Sequence, residues 1–95
     1  MVTGTLKLRI ALPGCSSLKE KRSSRQRIVS RIRNTFKVAV SEVATQDEWQ
    51  LLTLGVATLG PDRSPIESTL QKVADFVEEL GEGRLEAEEV EFFRS

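Results

Sequence analysis

The sequence contains no histidine and no tyrosine, and it has a single cysteine, Cys15. Without histidine, the chain cannot form Ser-His or Cys-His nucleophile pairs or the usual zinc ligand sets. With one cysteine it cannot close an internal disulfide, which is typical of proteins in a reducing compartment. These absences favour a non-enzymatic cytoplasmic protein that needs no metal and no cofactor.

Some chemistry stays open after these exclusions. Carboxylates, lysine or bound magnesium can support catalysis without histidine, and three acids fall in predicted turns: Asp47, Glu48 and Asp62. Acids are common in turns, so these three do not by themselves predict a magnesium site. The loop over residues 13–17 also does not resemble the phosphate-cradling loop of acylphosphatases, enzymes that share the fold predicted below.

Long apolar runs are missing as well. No stretch approaches the roughly 18 apolar residues of a membrane span, and no signal-peptide pattern opens the chain. A chain of 95 residues suits a single hydrophobic core. We therefore expect one domain over residues 1–95, with no membrane attachment.

Charge is distributed unevenly along the chain. Residues 1–37 hold ten basic side chains and one acidic side chain, giving +9, while residues 38–95 hold four basic and thirteen acidic side chains, giving −9. The net charge of zero therefore conceals a strong dipole, and a dense basic surface attracts polyanions. A nucleic acid is a candidate partner, unless the acidic half neutralises the basic half within the fold.

Hydrophobic periodicity predicts four strands and two helices. Strands are expected at about 5–12, 37–43, 49–59 and 85–93, and helices at about 18–35 and 64–80. Capping boxes mark both helix starts, Ser17 with Glu20 and Ser64 with Glu67, and Gly81 ends the second helix. The order βαββαβ is typical of a ferredoxin-like α+β sandwich, an antiparallel four-stranded sheet with both helices on one face.

The block Ser17-Leu18-Lys19-Glu20-Lys21-Arg22, after a strand that ends in Pro-Gly, resembles a small bacterial family. This is the YlxP-like family, domain-of-unknown-function family 503. The resemblance continues through residues 31–34, 36–40 and 46–50 and spans nearly the whole chain. It implies a ferredoxin-like fold and a ribosome-linked role, because members are often encoded beside translation-initiation and ribosome-maturation factors. It implies no established activity and no established site.

One departure from the family pattern concerns the first helix. The family usually has apolar residues at positions where this chain has Ser24 and Arg25. Arg25 falls near the centre of the apolar stripe, where an unpaired buried arginine is very costly. Either Arg25 extends past the sheet edge, or the helix begins later, at the alternative capping box Ser23 to Gln26. We predict that residues 14–25 are less ordered than the rest.

The basic first helix is the candidate nucleic-acid interface. Its candidate phosphate contacts are Lys19, Lys21, Arg22, Arg27, Arg31 and Arg33. Arg27 and Arg31 are like charges at i, i+4, which repel one another until an anion lies between them. We expect ribosomal RNA or a ribosomal particle as the partner. In the alternative interpretation, acids of the second helix or the last strand neutralise this face; the helix acids are Asp75, Glu78 and Glu79.

The open face of the sheet supports a second hypothesis. Lys7 and Arg9 are expected to pair across strands with Glu89 and Glu91, and the face lacks the aromatic residues on which RNA-recognition motifs stack bases. Its small, weakly polar residues and opposed charges suit a self-associating or protein-binding module. A homodimer is therefore the alternative to RNA binding.

Overall fold

All six predicted elements are present in the structure, a computed structural model that describes residues 1–95. The elements are β1 (Val2–Ala11), α1 (Leu18–Thr35), β2 (Ala39–Ala44), β3 (Leu51–Gly60), α2 (Arg63–Leu80) and β4 (Arg84–Arg94). The four strands form one antiparallel sheet in the order β2-β3-β1-β4. The predicted ferredoxin-like α+β fold is therefore confirmed.

Alternation along the strands gives the sheet an apolar face that the two helices cover. In β1, Leu6, Leu8 and Ile10 are buried, and Leu54 and Leu52 of β3 are buried beside the last two. The helices add buried residues to the same core: Ile28 and Ile32 from α1, and Ile66, Leu70, Val73, Ala74 and Val77 from α2. Burying one large aliphatic side chain contributes about 1.5–3 kcal/mol, so this layer is the main source of stability.

Helix α1 begins where the first capping box predicts. The backbone N–H of Glu20 donates to Ser17 Oγ at 3.1 Å, which satisfies one of the free donors of the first turn. The reciprocal arm lies one residue earlier than expected, since the Glu20 carboxylate accepts from the N–H and hydroxyl of Ser16 at 2.8 and 3.0 Å. The alternative start at Ser23 is therefore wrong.

The N-cap of helix α2 lies two residues before the predicted one. Asp62 occupies the cap position and makes no side-chain cap hydrogen bond, and Ser64 lies within the first turn. At the other end Gly81 adopts the left-handed conformation, with φ of 69°, as its predicted role as helix terminator requires. The sequence pattern therefore predicts the end of this helix better than its start.

The strand bounds differ from the predicted ones by one to three residues, and β2 also departs from regular pairing. This strand starts two residues later than expected, at Ala39, and its pairing with β3 is irregular between Glu42 and Ala44. Val43 is the extra residue at this bulge. Glu42, which precedes the bulge, lies in register with Leu54 and shares the helix side of the sheet with Val40, as regular alternation requires.

The opposite side of the sheet, called here the open face, is not covered by either helix. Residues in register across the ladders share a side, because side chains alternate along every strand. The open face therefore carries Thr3, Thr5, Lys7 and Arg9 of β1, Gly55, Ala57 and Leu59 of β3, Ala39 and Ser41 of β2, and Ala87, Glu89, Glu91 and Phe93 of β4.

Neither helix combines the length and the apolar character that crossing a bilayer requires.

Candidate nucleic-acid interface

Helix α1 turns one side to the core and the other to solvent. Successive residues are about 100° apart, which groups Lys21, Ser24, Ile28 and Ile32 on the buried side. A strip of Lys19, Ser23, Gln26 and Ser30 lies opposite and is exposed. Two pairs of exposed arginines flank this strip: Arg27 with Arg31 on one side, and Arg22 with Arg33 on the other. The strip and its flanking arginines are called here the basic face.

The Arg27 flank faces the end of α2. Arg27 Nε donates to both carboxylate oxygens of Glu82 at 3.1 Å, and its Nη2 donates to Ser24 Oγ at 3.2 Å. The Arg27 side chain is nevertheless 50% exposed. Arg31, one turn further along, is exposed and has no acidic partner within the chain. An anion placed between the two arginines would therefore find one free guanidinium and one that is partly engaged.

The Arg22 flank faces the β2 edge of the sheet. Arg33 Nη2 donates to the backbone carbonyl of Val40 at 2.9 Å, and Arg33 lies in the last helical turn, where a cation is favoured by the helix dipole. Arg22 is exposed and forms no ion pair. The two flanks thus leave their outer residues, Arg22 and Arg31, free to contact a ligand.

Lys21 departs from the sequence-based prediction that it contacts phosphate. Its side chain is only 3% exposed, and Nζ lies 2.9 Å from Glu42 Oε2 and 2.5 Å from the carbonyl oxygen of Thr45. Regular alternation along β2 points Glu42 towards α1 on the same side as Val40, and Lys21 neutralises the buried carboxylate. Lys21 therefore belongs to the structural core, and the candidate interface keeps the other five residues.

Arg25 completes this buried charge cluster. Its Nη1 donates to Glu42 Oε1 at 3.0 Å, while its side chain remains 32% exposed. Glu42 is 9% exposed, and no donor is aligned for a hydrogen bond to its Oε2, so the Lys21 contact there is electrostatic. Arg25 therefore extends from the apolar side of α1 past the sheet edge, as the first of the two predicted alternatives has it.

The acids that neutralise part of α1 are not those that the sequence indicated. Asp75, Glu78, Glu79 and the β4 acids form no ion pair with α1; the partners are Glu42 and Glu82. Internal neutralisation is therefore partial. It engages Lys21, Arg25 and Arg27 and leaves Lys19, Arg22, Arg31 and Arg33 without acidic partners.

The exposed strip adds hydrogen-bonding groups between the charges. Ser23, Gln26 and Ser30 line a shallow depression with Arg27 and Arg31, with a volume of about 430 Å³. Hydroxyl and amide donors beside guanidinium groups are the usual set that contacts phosphate oxygens. Sequence reasoning missed these three polar residues, although their spacing of three and four residues along one helix face is visible in the sequence.

Glu20 is the one acid of the basic segment, and it lies on the Arg27 side of α1, where it lines a pocket with Ser23 and Arg27. The N–H and hydroxyl of Ser16 donate to its carboxylate and hold the pKa of Glu20 below its ordinary value of 4.5. The ionised carboxylate also lies in the first turn of α1, where the helix dipole favours a negative charge. Glu20 thus secures the start of the helix.

Cross-strand pairing on the open face is as predicted for one of two cations. Lys7 lies opposite Glu89, with Nζ 4.0 Å from Oε2. Arg9 lies opposite Ala87 and has no acidic partner, while Glu91 lies opposite Thr5. The reason is that the two acids lie opposite Thr5 and Lys7, which is two residues nearer the start of β1 than the cations Lys7 and Arg9.

The chain offers few other side chains that could bind a metal ion or act as a nucleophile. No group of three or more His, Cys, Asp or Glu side chains is arranged to hold a metal ion. Cys15 is buried, with Sγ 3.9 Å from Ser24 Oγ. Gln50 Nε2 donates to the Cys15 carbonyl at 3.1 Å and ties this loop to the turn between β2 and β3.

Comparisons with known proteins place the chain in a family. Residues 3–90 match the model of the family described as "Protein of unknown function (DUF503)". The "Uncharacterized protein YlxP" of Bacillus subtilis (strain 168) is 41% identical over 66 residues, which cover 70% of this chain and 72% of that protein.

Two solved structures share the fold. The de novo designed protein Foldit4 aligns with a TM-score of 0.54 at 16% identity, covering 99% of this chain and 97% of that one. SnoaB, a cofactor-independent oxygenase from Streptomyces nogalater, aligns with a TM-score of 0.52 at 12% identity, covering 100% of this chain and 94% of that one. At these identities the likeness concerns the fold alone. The family match and the relative agree with the resemblance carried by the Ser-Leu-Lys-Glu-Lys-Arg block, and the chain belongs to the YlxP-like family of proteins of unknown function, DUF503.

Proposed function

We propose that this protein is a non-enzymatic cytoplasmic accessory factor that binds ribosomal RNA or a ribosomal particle through the basic face of α1. The observation that carries the proposal is the set of exposed cations on that face, of which Lys19, Arg22 and Arg31 have no acidic partner. Arg27 and Arg33 would add contacts from guanidinium groups that are already positioned by the fold.

Recognition would rest on phosphate and on the shape of folded RNA. The open face offers no row of aromatics for base stacking, and the serine and glutamine side chains of the basic face lie beside Arg27 and Arg31, where they can donate to phosphate oxygens. The ribosomal identity of the partner is supported by the ribosome-linked role that the family resemblance implies. Binding should therefore tolerate changes of base sequence and depend on ionic strength.

The test is co-sedimentation of nucleic-acid-free protein with ribosomal particles, followed by equilibrium binding to purified ribosomal RNA. With about four phosphate contacts, the slope of log K against log salt is expected to be about −3 to −4. Binding should accordingly be strong at about 50 mM salt and weak at about 300 mM, where the Debye length is shorter. Migration at the top of the gradient at both salt concentrations would refute the proposal.

Arg22→Glu with Arg31→Glu is the informative variant because neither residue has a partner to lose. We expect binding to fall at least about tenfold and the salt slope to decrease by about two, one for each phosphate contact removed. The matched control is Lys72→Glu with Arg94→Glu, which makes the same charge change at exposed positions on α2 and β4. Equal losses in both doubles would show a net-charge effect and not a site on α1.

A further inference from the structure

The open face has an apolar floor of small residues. Ala39, Gly55 and Ala57 lie in a groove of about 480 Å³, with Lys7 and the β4 acids along its far side. Val43 overhangs Gly55 so closely that a Cβ added at position 55 would lie 2.7 Å from its Cγ1. The bulge that follows Glu42 thus places Val43 over the neighbouring strand, where it shapes one wall of the groove.

Large apolar side chains surround this floor and are exposed. Val43 is 50% exposed, Leu59 64% and Phe93 54%. Leu59 and Phe93 lie on either side of Thr3 in the same register of the sheet, so both point out of the open face. Contiguous apolar surface of this kind on a soluble domain commonly marks an interaction site.

The charges on the open face balance one another. The open face carries Lys7 and Arg9 on β1 and Glu89 and Glu91 on β4, which gives it a net charge of zero. Lys7 and Glu89 are 4.0 Å apart, in a weak exposed pair, and neither Arg9 nor Glu91 has an ion-pair partner within the chain. Two copies of such a face can meet without net repulsion, and each offers the other an unpaired cation and an unpaired anion.

The face is also large enough for a specific contact between two copies. Four strands spaced about 4.8 Å apart and about eight residues long outline roughly 500 Å². Two copies would then bury about 1,000 Å², which is near the lower limit for a specific interface. An assembly of this size is expected to be reversible and dependent on concentration.

We propose that two copies of this chain associate through their open faces, with the small-residue floor and the exposed Val43, Leu59 and Phe93 buried between them. An interface that uses the same patch on both copies closes on itself, so the product is a dimer and not a filament. The proposal is independent of RNA binding, because α1 covers the other side of the sheet. Such a dimer would leave both basic faces accessible.

The first test uses charge. Lys7→Glu changes the net charge of the open face from zero to −2, and Glu89→Lys changes it to +2. Each variant alone should dimerise at least about tenfold more weakly than wild type, because two like-charged faces repel. An equimolar mixture of the two variants should regain the dimer as a heterodimer. Sedimentation equilibrium on nucleic-acid-free protein measures the association of each variant alone and of their mixture.

The second test uses shape and a matched control. Ala57→Arg fills the floor of the groove at a half-buried position that points outward, and it should also yield monomer. Lys72→Glu makes the same charge change as Lys7→Glu on the exposed side of α2 and should leave the dimer unchanged. Since much of the buried surface is apolar, wild-type dimer should persist at about 0.5 M salt, where exposed ion pairs are screened.

Three results would overturn the proposal. Wild-type protein that stays monomeric up to about millimolar concentration, equivalent to a gain of no more than about 4 kcal/mol on association, excludes the dimer. A dimer unaffected by Ala57→Arg uses another surface. A dimer that dissolves in high salt is held by the basic face of one copy against the acids of another. None of these results bears on RNA binding by the monomer.

Discussion

Lys21 connects three parts of the fold through one ammonium group. It neutralises Glu42 of β2 and donates to the carbonyl of Thr45, in the turn that leads to β3. Thr45 has a φ of 58°, in the left-handed region that a β-branched residue rarely adopts. Its hydroxyl lies 2.9 Å from the hydroxyl of Thr53, which fixes the turn from the other side. The buried cation therefore stabilises a turn with an unfavourable backbone conformation.

Replacing Lys21 by methionine should lower the free energy of unfolding by about 3 kcal/mol, because it leaves a buried carboxylate with one partner fewer. Arg25 still pairs with Glu42 and limits the loss. Lys19→Met, two residues earlier on the exposed side, should change stability by no more than about 0.5 kcal/mol. Urea denaturation followed by circular dichroism measures both. Equal midpoints for the two variants would contradict the structural role of Lys21.

Glu20 makes the start of α1 sensitive to acid. Because the pKa of Glu20 is lowered in the folded state from its ordinary value of 4.5, the ionised carboxylate contributes stability at pH values above 4.5. That contribution is lost as the pH falls through the lower, folded-state pKa. Glu20→Gln should therefore be less stable than wild type at neutral pH, and the difference should vanish in strong acid. Urea midpoints of both proteins across acid to neutral pH measure this, and a difference independent of pH would argue against the carboxylate.

At the scale of elements, the connection between α2 and β4 is short and closely packed. Gly81 ends the helix with φ of 69°, and Gly83 passes close to the end of β1. A Cβ at position 83 would lie 2.7 Å from the carbonyl oxygen of Ala11 and 2.7 Å from Ile10 Cγ2. The Glu82 carboxylate that holds Arg27 is carried on this same connection. The backbone spacing at Gly83 thus positions a partner of the basic face.

Gly83→Ala should destabilise the protein by about 1–3 kcal/mol, the usual range for overpacking against a structure that cannot relax. Gly14→Ala is the control, since a Cβ there has no neighbour within 4 Å. Thermal unfolding compares the two variants. A Gly83→Ala protein as stable as the Gly14→Ala protein would mean that β4 can move away from β1 at little cost.

At the scale of the whole molecule, the basic and acidic halves of the sequence form different surfaces of the fold. The basic segment supplies α1 at the surface of the helix layer, and the acidic segment supplies the edge strand β4 with Glu86, Glu88, Glu89 and Glu91. Only Glu42 and Glu82 of the acidic segment reach α1. The fold therefore keeps most of the dipole that the sequence indicates, with basic α1 far from the most acidic strand.

The fold could be predicted from sequence because each strand and helix shows its own hydrophobic periodicity. For α1, the capping residue Ser17 also marks the start of the helix correctly. The start of α2 could not, because Ser64 and Pro65 are as compatible with the first turn as with the cap position. Lys21 was predicted at the surface because lysine is seldom buried without a partner. Strand alternation already places its partner, Glu42, on the same side of β2 as the buried Val40. Which residue of α1 lies beside Glu42 depends on how the helix packs on the sheet, which periodicity does not reveal.

The ladder between β1 and β4 also determines how the molecule would yield to mechanical force. Val2 pairs with Arg94, and the N–H of Ser95 donates to the carbonyl of Met1 at 2.9 Å, so residues 1 and 95 lie side by side. Tension applied between these two residues acts across the strands and loads one pair of hydrogen bonds at a time. The hydrogen bonds between β4 and β1 would therefore break one pair after another, starting from the chain ends. This requires far lower force than a shear geometry, in which all the hydrogen bonds must break at once.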